Sequence, residues 1–178
     1  MSLTKEKQKT AFLALAPAFG HTNELAAPRI MKVVVSTGVG KKRDPKASAL
    51  IEDRLARITG QKAAPRSAKQ SIASFKVRAG DVVGYQTTLR GARMFDFLDK
   101  LIHIALPRTR DFRGIPNSAV DEMGNLTVGI REHTIFPETS DEDLKDVFGL
   151  AVTVVTTAKD RTEAEAFFRH LGFPIREK

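Results

Sequence analysis

The chain predicts an α+β fold: mainly an antiparallel sheet, with helices packed on one face and the other face open for binding. Three observations predict it. Short runs of β-branched residues alternate irregularly with amphipathic helical stretches, no stretch repeats another, and glycines and prolines punctuate the boundaries. The 178 residues, 42% of them hydrophobic, fit a single domain over 1–178 with enough apolar material for a buried core.

Each element follows from its residues. Ser2 to Ala16 predicts a helix, with Leu3, Phe12, Leu13 and Ala16 apolar and Pro17 and Gly20 closing it. Arg29 to Ser36 predicts a strand through Ile30, Val33, Val34 and Val35, ended by the turn Thr37-Gly38-Val39-Gly40. Asp44 then caps a helix with Pro45 at its first position, where a missing N–H costs least, and Gly60 stops it. Leu50, Ile51, Leu55 and Ile58 make its apolar face. Residues 61–80 lack a helical period and read as a short extended piece followed by a basic loop at about 66–80. Val82 to Arg90 alternates as a strand, with Val83, Tyr85, Thr87 and Leu89 on one side and Thr88 and Arg90 sharing the other. Arg93 to Leu106 repeats at helical spacing through Met94, Phe97, Leu98, Leu101, Ile102 and Ala105 until Pro107. A long loop at about 107–124 carries three arginines, and such loops usually carry function. Leu126–Ile130 and Leu150–Thr157 read as strands, and Thr162-x-x-Glu165 reads as a capping box opening a last helix that ends at Gly172 and Pro174.

Charge supplies the functional direction. The net charge is +8, but residues 1–80 hold 16 basic and 5 acidic side chains while residues 81–178 hold 13 and 16. From Arg54 to Gly80 there are seven basic residues (Arg54, Arg57, Lys62, Arg66, Lys69, Lys76, Arg78) and no acid. Three of them lie near a helix C-terminus, where the dipole favours cations. A solvated face is the bland reading of the remainder. Such faces normally mix signs, however, so a polyanionic partner is the better one.

Most catalytic chemistry is excluded. The absence of Cys removes thiolate metal sites and thiol nucleophiles. Gly38-Val39-Gly40-Lys41-Lys42 fails as a phosphate loop, because Val35 and Lys42 stand where Gly and Ser or Thr are needed, and Arg43 breaks a dinucleotide fingerprint. His21, His103, His133 and His170 have no metal-binding spacing, and His103 and His170 read as helix surface. Glu138, Asp141, Glu142, Asp143 and Asp146 read as the first turn of a surface helix rather than a catalytic cluster. No apolar run approaches the roughly 20 residues of a membrane span, and no export signal opens the chain, so a cytoplasmic protein is expected. Neither enzyme chemistry, a metal nor a cofactor is expected.

What remains is a binding constellation of Gln61, Lys62, Arg66, Lys69, Ser71, Lys76 and Arg78. Phe75 in this loop either stacks on a base or anchors the loop to the core, and both readings stay open. An enzyme for phosphorylated substrates and a DNA-binding architectural protein are the competing classes. The first lacks convergent acid–base residues; the second would have to prefer duplex DNA over structured RNA.

Eight segments then carry a resemblance: Ile58-Thr59-Gly60-Gln61-Lys62, Ala68-Lys69-Gln70-Ser71-Ile72, Thr88-Leu89-Arg90-Gly91, Ala105-Leu106-Pro107-Arg108, Arg110-Asp111-Phe112-Arg113-Gly114, Ile135-Phe136-Pro137-Glu138, Val155-Thr156-Thr157-Ala158 and Leu171-Gly172-Phe173-Pro174. In this order and spacing they closely resemble the bacterial form of large-subunit ribosomal protein five, from about Pro28 to Pro174. The resemblance implies binding to 5S ribosomal RNA and its attachment to the large subunit, with its ribosomal RNA, in the central protuberance beside other 5S-binding proteins. It further implies an inter-subunit bridge with small-subunit protein thirteen and a contact with P-site transfer RNA. Carried over by position, the 5S surface is Ser36, Gly38, Gln61, Thr88 and Arg90. The arm toward transfer RNA is the loop with Lys69, Ser71, Phe75, Lys76 and Arg78. Two departures stand out: Ser36-Thr37 replaces an Asn-led pair, and Arg66-Ser67-Ala68-Lys69-Gln70-Ser71 reorders hydroxyl and base and drops one Lys. Pro65 removes a backbone donor and so requires an edge strand or a loop.

Overall fold

Alternation of apolar with small or polar side chains builds the strands. The computed structural model describes residues 2–40, 45–140 and 147–176. Among them are β1 (Ile30–Gly38), β2 (Ala64–Ser67), β3 (Val82–Leu89), β4 (Leu126–Ile130) and β5 (Leu150–Thr156). They form one antiparallel sheet in the order β2-β3-β1-β5-β4. Pro65 sits in the edge strand β2, the place its missing N–H demands. The register of β2 on β3 slips between Arg66 and Ser67, whose partners are Gly84 and Val82.

One face of the sheet is core. Val33, Val35 and Val39, then Tyr85 and Leu89, then Val152 and Val154 are buried, while the residues between them (Val34, Ser36, Gln86, Thr88, Ala151, Thr153) stay partly exposed. This is the one-sided pattern of an antiparallel sheet covered on a single face.

Two units divide the chain. The first contains Val34–Thr88 and Gly129–Ala151. Its helix α2 (Pro45–Thr59) buries Ile51, Leu55 and Ile58, as their spacing predicts. Gly60 ends it in the left-handed region at φ 68°, donating to the Ala56 carbonyl at 2.8 Å. The predicted cap Asp44 lies outside the described residues. Gly84 in β3 is forced by packing, since a Cβ there would sit 2.6 Å from the Thr37 carbonyl oxygen.

The second unit contains Met1–Val33, Leu89–Val128 and Val152–Lys178. It holds α1 (Leu3–Phe19), α3 (Ala92–Lys100) and α4 (Arg161–Leu171). Phe168 is fully buried and meets Phe173 edge-on at 5.4 Å between ring centroids. Ser2 caps α1 through the Lys5 N–H, and Asp99 of α3 accepts from the Thr4 N–H at 2.9 Å and from the Thr4 hydroxyl.

Several expectations need correction. Helix α1 runs through Pro17 to Phe19, because a proline in the final turn forfeits only one intrahelical bond. Strand β1 continues two residues past Ser36 to Gly38. The helix expected through Leu106 is α-helical only to Lys100 and then opens into a π turn over Leu101–Ala105, which keeps Leu101, Ile102 and Ala105 buried. The cap of α4 is Asp160, not Thr162; Glu163 reaches back to the Lys159 N–H at 2.8 Å, and Glu165 pairs with Arg161 at 3.0 Å. His170 is more than surface: its Nε2 lies 2.8 Å from the Lys7 carbonyl and ties α4 to α1. Glu138 stands in a 3-10 turn (Pro137–Thr139), whereas Asp141, Glu142, Asp143 and Asp146 lie outside the described residues.

Gly84→Ala should lower stability by about 1–3 kcal/mol, because the methyl cannot enter without moving β1; a shift of the urea midpoint at constant slope checks this. Burial would raise the Asp99 carboxyl, but hydrogen bonds from Ser2 and Thr4 hold it below the ordinary Asp value. Its stabilisation is therefore whole above the ordinary carboxylate range and lost as pH falls through the lower folded value. Asp99→Asn should cost stability at neutral pH and flatten the acid limb of a pH–stability profile.

Candidate nucleic-acid interface

The open face of the first unit is concave. The hollow measures about 690 Å³ and is lined by Ser36 and Gly38 of β1, Arg66 of β2, Gln86 of β3, Gly129 of β4 and Ala151 of β5, among others. The side chains that β1, β4 and β5 turn outward here are Ser, Gly and Ala, so the floor is low. Arg66 and Arg131 are exposed at this hollow, and among the described residues none that lines it is acidic. The Arg66 Nε donates to the Gln86 side-chain oxygen at 2.6 Å, leaving the rest of its guanidinium to solvent. The Thr37 hydroxyl donates to the Gly149 carbonyl at 2.7 Å, which fixes the strand ends bordering the hollow.

Glycines around this hollow differ in kind. A Cβ on Gly149 would crowd the Ile130 carbonyl at 3.1 Å, so packing demands glycine there. Gly129 is exposed, with nothing within 4 Å of a Cβ and no positive φ. Among the described residues nothing crowds a side chain at 129, so glycine there leaves the floor of the hollow low.

The residues expected at the 5S surface fall in three places. Ser36 and Gly38 line the hollow. Gln61 and Thr88 meet each other, the Gln61 amide donating to the Thr88 carbonyl at 3.5 Å. Arg90 is exposed directly after β3 in the chain. Gly91 follows it at φ 63° and opens α3.

The basic loop is a small hairpin. Ile72 and Val77 pair through both backbone bonds, at 2.9 and 3.2 Å, around a 3-10 turn at Ala73–Phe75. Lys76 takes the left-handed region at φ 52°. The Ser71 hydroxyl accepts from the Ala79 N–H at 2.9 Å, and Asp81 accepts from the Arg78 N–H at 2.9 Å. Lys69, Ser71, Lys76 and Arg78 are exposed, and Phe75 is 69% exposed. That exposure disfavours the core-anchor reading of Phe75.

Sequence reasoning missed Gln86, Gly129, Arg131 and Ala151. A signal existed: small residues at alternate positions of strands whose other positions are Leu, Ile and Val. Of the expected cationic caps, Arg57 pairs with Asp53 at 2.9 Å and Lys62 approaches Glu52 at 3.6 Å, so these charges are satisfied locally.

Comparison with known proteins decides the family. Residues 23–78 match the family described as ribosomal protein L5, and residues 82–175 match the model described as the C-terminus of that ribosomal family. The chain belongs to the ribosomal protein L5 family. It is 45% identical over 164 residues to the large ribosomal subunit protein uL5 of Anaeromyxobacter sp. strain K, covering 92% of this chain and 91% of the relative. It is 44% identical to the uL5 protein of Thermoanaerobacter sp. strain X514, covering 98% and 99%, and 48% identical to that of Rubrobacter xylanophilus, covering 92% and 91%. Membership makes the chain a structural constituent of the large ribosomal subunit, not an enzyme, and puts it on the ribosome in the cytoplasm. Among the described residues no helix is long and apolar enough to cross a membrane.

The two glycine types are separable by experiment. Gly129→Val should leave the thermal midpoint within about a degree or two of the wild type or raise it, since a β-branched residue replaces glycine in a strand with room to spare. A fall of many degrees would mean that Gly129 is structural after all.

Proposed function

We propose that the concave sheet face binds 5S ribosomal RNA and helps to attach it to the large subunit. The carrying observation is a wide hollow with a Gly, Ser and Ala floor and, among the described residues, two exposed guanidinium groups and no acid. A low floor admits a ribose–phosphate edge, and guanidinium groups at its margin match phosphate oxygens in pairs. Ser36 and Gly38 serve as floor, Gln61 and Thr88 as amide and hydroxyl partners, and Arg90 as a phosphate or base contact. The hairpin with Lys69, Ser71, Phe75, Lys76 and Arg78 serves transfer RNA in the P site, with Phe75 offering an exposed ring for stacking. The chain works as one RNA-binding domain beside other 5S-binding proteins. A bridge to small-subunit protein thirteen belongs to the same proposal and is supported by the family resemblance.

A titration against 5S ribosomal RNA and transfer RNA at two salt concentrations tests this. Selective 5S binding that survives the higher salt supports it; equal binding that collapses with salt overturns it. Gln61→Ala and Arg90→Ala should each weaken 5S binding by about 1–3 kcal/mol. Gly129→Val should weaken it by obstructing the floor, and Lys76→Ala with Arg78→Ala should leave it nearly intact. Equal losses in all these variants would merge the two surfaces into one basic patch.

A further inference from the structure

Arg66 and Gln86 form a pair whose geometry the sheet dictates, wholly within the unit that carries the hollow. In the register of β2 on β3, Arg66 stands opposite Gly84, and Ala64 stands opposite Gln86. Residues opposite one another share a sheet face, as do residues two apart on a strand, so Arg66, Gly84 and Gln86 all lie on the face of the hollow they line. Gly84 offers no side chain for Arg66 to pack on. The arginine stem instead crosses diagonally, and its Nε donates to the Gln86 side-chain oxygen at 2.6 Å. Pro65 fixes the backbone before Arg66, and the register slips directly after it, an irregularity of the kind that re-aims a side chain.

That one bond decides what the guanidinium can offer. An arginine forks in two ways: side-on through Nε and one Nη, or end-on through its two Nη atoms. Gln86 occupies the Nε–H, so the side-on fork is spent and the end-on fork is left. Arg66 is exposed, and among the described residues no carboxylate pairs with it. A free arginine loses rotamer freedom when it binds, whereas one tethered at Nε has lost much of it already. A cross-strand bond can serve a sheet alone, but at an exposed edge such a pair adds little stability.

We propose that Gln86 is a positioning residue, which holds the Arg66 guanidinium end-on so that it grips the two non-bridging oxygens of one RNA phosphate. The proposal rests on the reading of this face as the 5S surface. Two parallel N–H groups match two oxygens of one phosphate, a fit that a lysine ammonium does not make. A guanine edge is the other common partner of a forked arginine. The low floor of Ser36, Gly129 and Ala151 beside Arg66, open to a ribose–phosphate edge, favours the phosphate.

The test is a double-mutant cycle with the full chain and labelled 5S RNA, titrated at several salt concentrations, with thermal unfolding verifying each fold. Arg66→Ala should weaken binding at least about fivefold and make the salt dependence shallower by about one phosphate contact. Arg66→Lys should keep the salt slope and still lose affinity, because the fork is gone. Gln86→Met keeps the bulk and removes the acceptor. It should cost about three- to tenfold at an unchanged slope, since the charge remains and only its order is lost. In the Arg66→Ala chain the same Gln86→Met change should cost less than about twofold. An equal cost in both backgrounds overturns the proposal, because Gln86 would then act on RNA by itself. No cost for Gln86→Met in either background also overturns it and leaves the pair serving the sheet alone. A loss for Arg66→Ala at an unaltered slope overturns it in favour of a base edge. Gly129→Val keeps the two readings apart. If it weakens 5S binding while the Arg66 and Gln86 variants do not, this proposal alone fails; if it binds as the wild type does, the sheet-face reading fails and takes the proposal with it.

Discussion

Like charge set close together on one stretch of chain is the constraint to which the rest answers. Two unit charges about 10 Å apart in water repel by roughly 0.4 kcal/mol, so no single pair prevents folding, yet seven in 27 residues sum to a field that a partner must neutralise. The fold disposes of some locally: Arg57 meets Asp53, Lys62 approaches Glu52, and Arg54 is buried. Arg66, Lys69 and Arg78 are exposed on an edge strand and a hairpin. Local pairing takes up the charges nearest the helix. Sign segregation thus survives folding where an ordinary surface would have mixed it.

The sheet meets that field with an absence of bulk. A covered sheet face has to be filled, whereas an open face need only be wettable, and Ser36, Thr88 and Thr153 satisfy that. Gly84 and Gly149 are glycine because backbone carbonyls of adjoining strands stand 2.6 and 3.1 Å from where a Cβ would go. Gly129 has no such neighbour and sits mid-strand, where glycine weakens a sheet. The proposed RNA contact would give that open position a use, because an approaching ribose–phosphate edge meets no side chain there.

Much of this was legible in the residues, and the misses have physical causes. Strands and helix faces were readable because burial on one side imposes period 2 or 3.6, and Pro65 announced an edge. Pro17 misled because a proline signals a helix end more strongly than a final turn obeys it. The π turn at Leu101–Ala105 was hidden because its side chains keep the apolar spacing of an α-helix while the backbone alone changes ladder. Asp160 displaced Thr162 as cap because Glu163, not Glu165, is the residue that can turn back toward the incoming chain. His170 looked like surface because its partner, the Lys7 carbonyl, lies 163 residues away in sequence. The hollow was missed for a related reason: Gly129, Ala151 and Ser36 belong to three strands, and only pairing brings them to one floor.

The hairpin and the edge strand before it differ in how firmly they hold their cations, and that difference bears on what each can bind. The hairpin at 69–80 is closed by the Ile72–Val77 pair and, at its base, by Ala68 bonded to Asp81 and Gly80, but nearly all its side chains are exposed, so little apolar burial backs those bonds. Such a segment opens at low free energy and suits a ligand that comes and goes. Arg66 is instead tied at its Nε to Gln86, on a strand paired with β3. Ordering an exposed long side chain on binding costs about 0.5–1.5 kcal/mol, and one already tied loses less. A permanently assembled RNA rewards the second arrangement, because its contacts form once and persist. An exchanging one rewards the first, because tight pre-organisation would slow release.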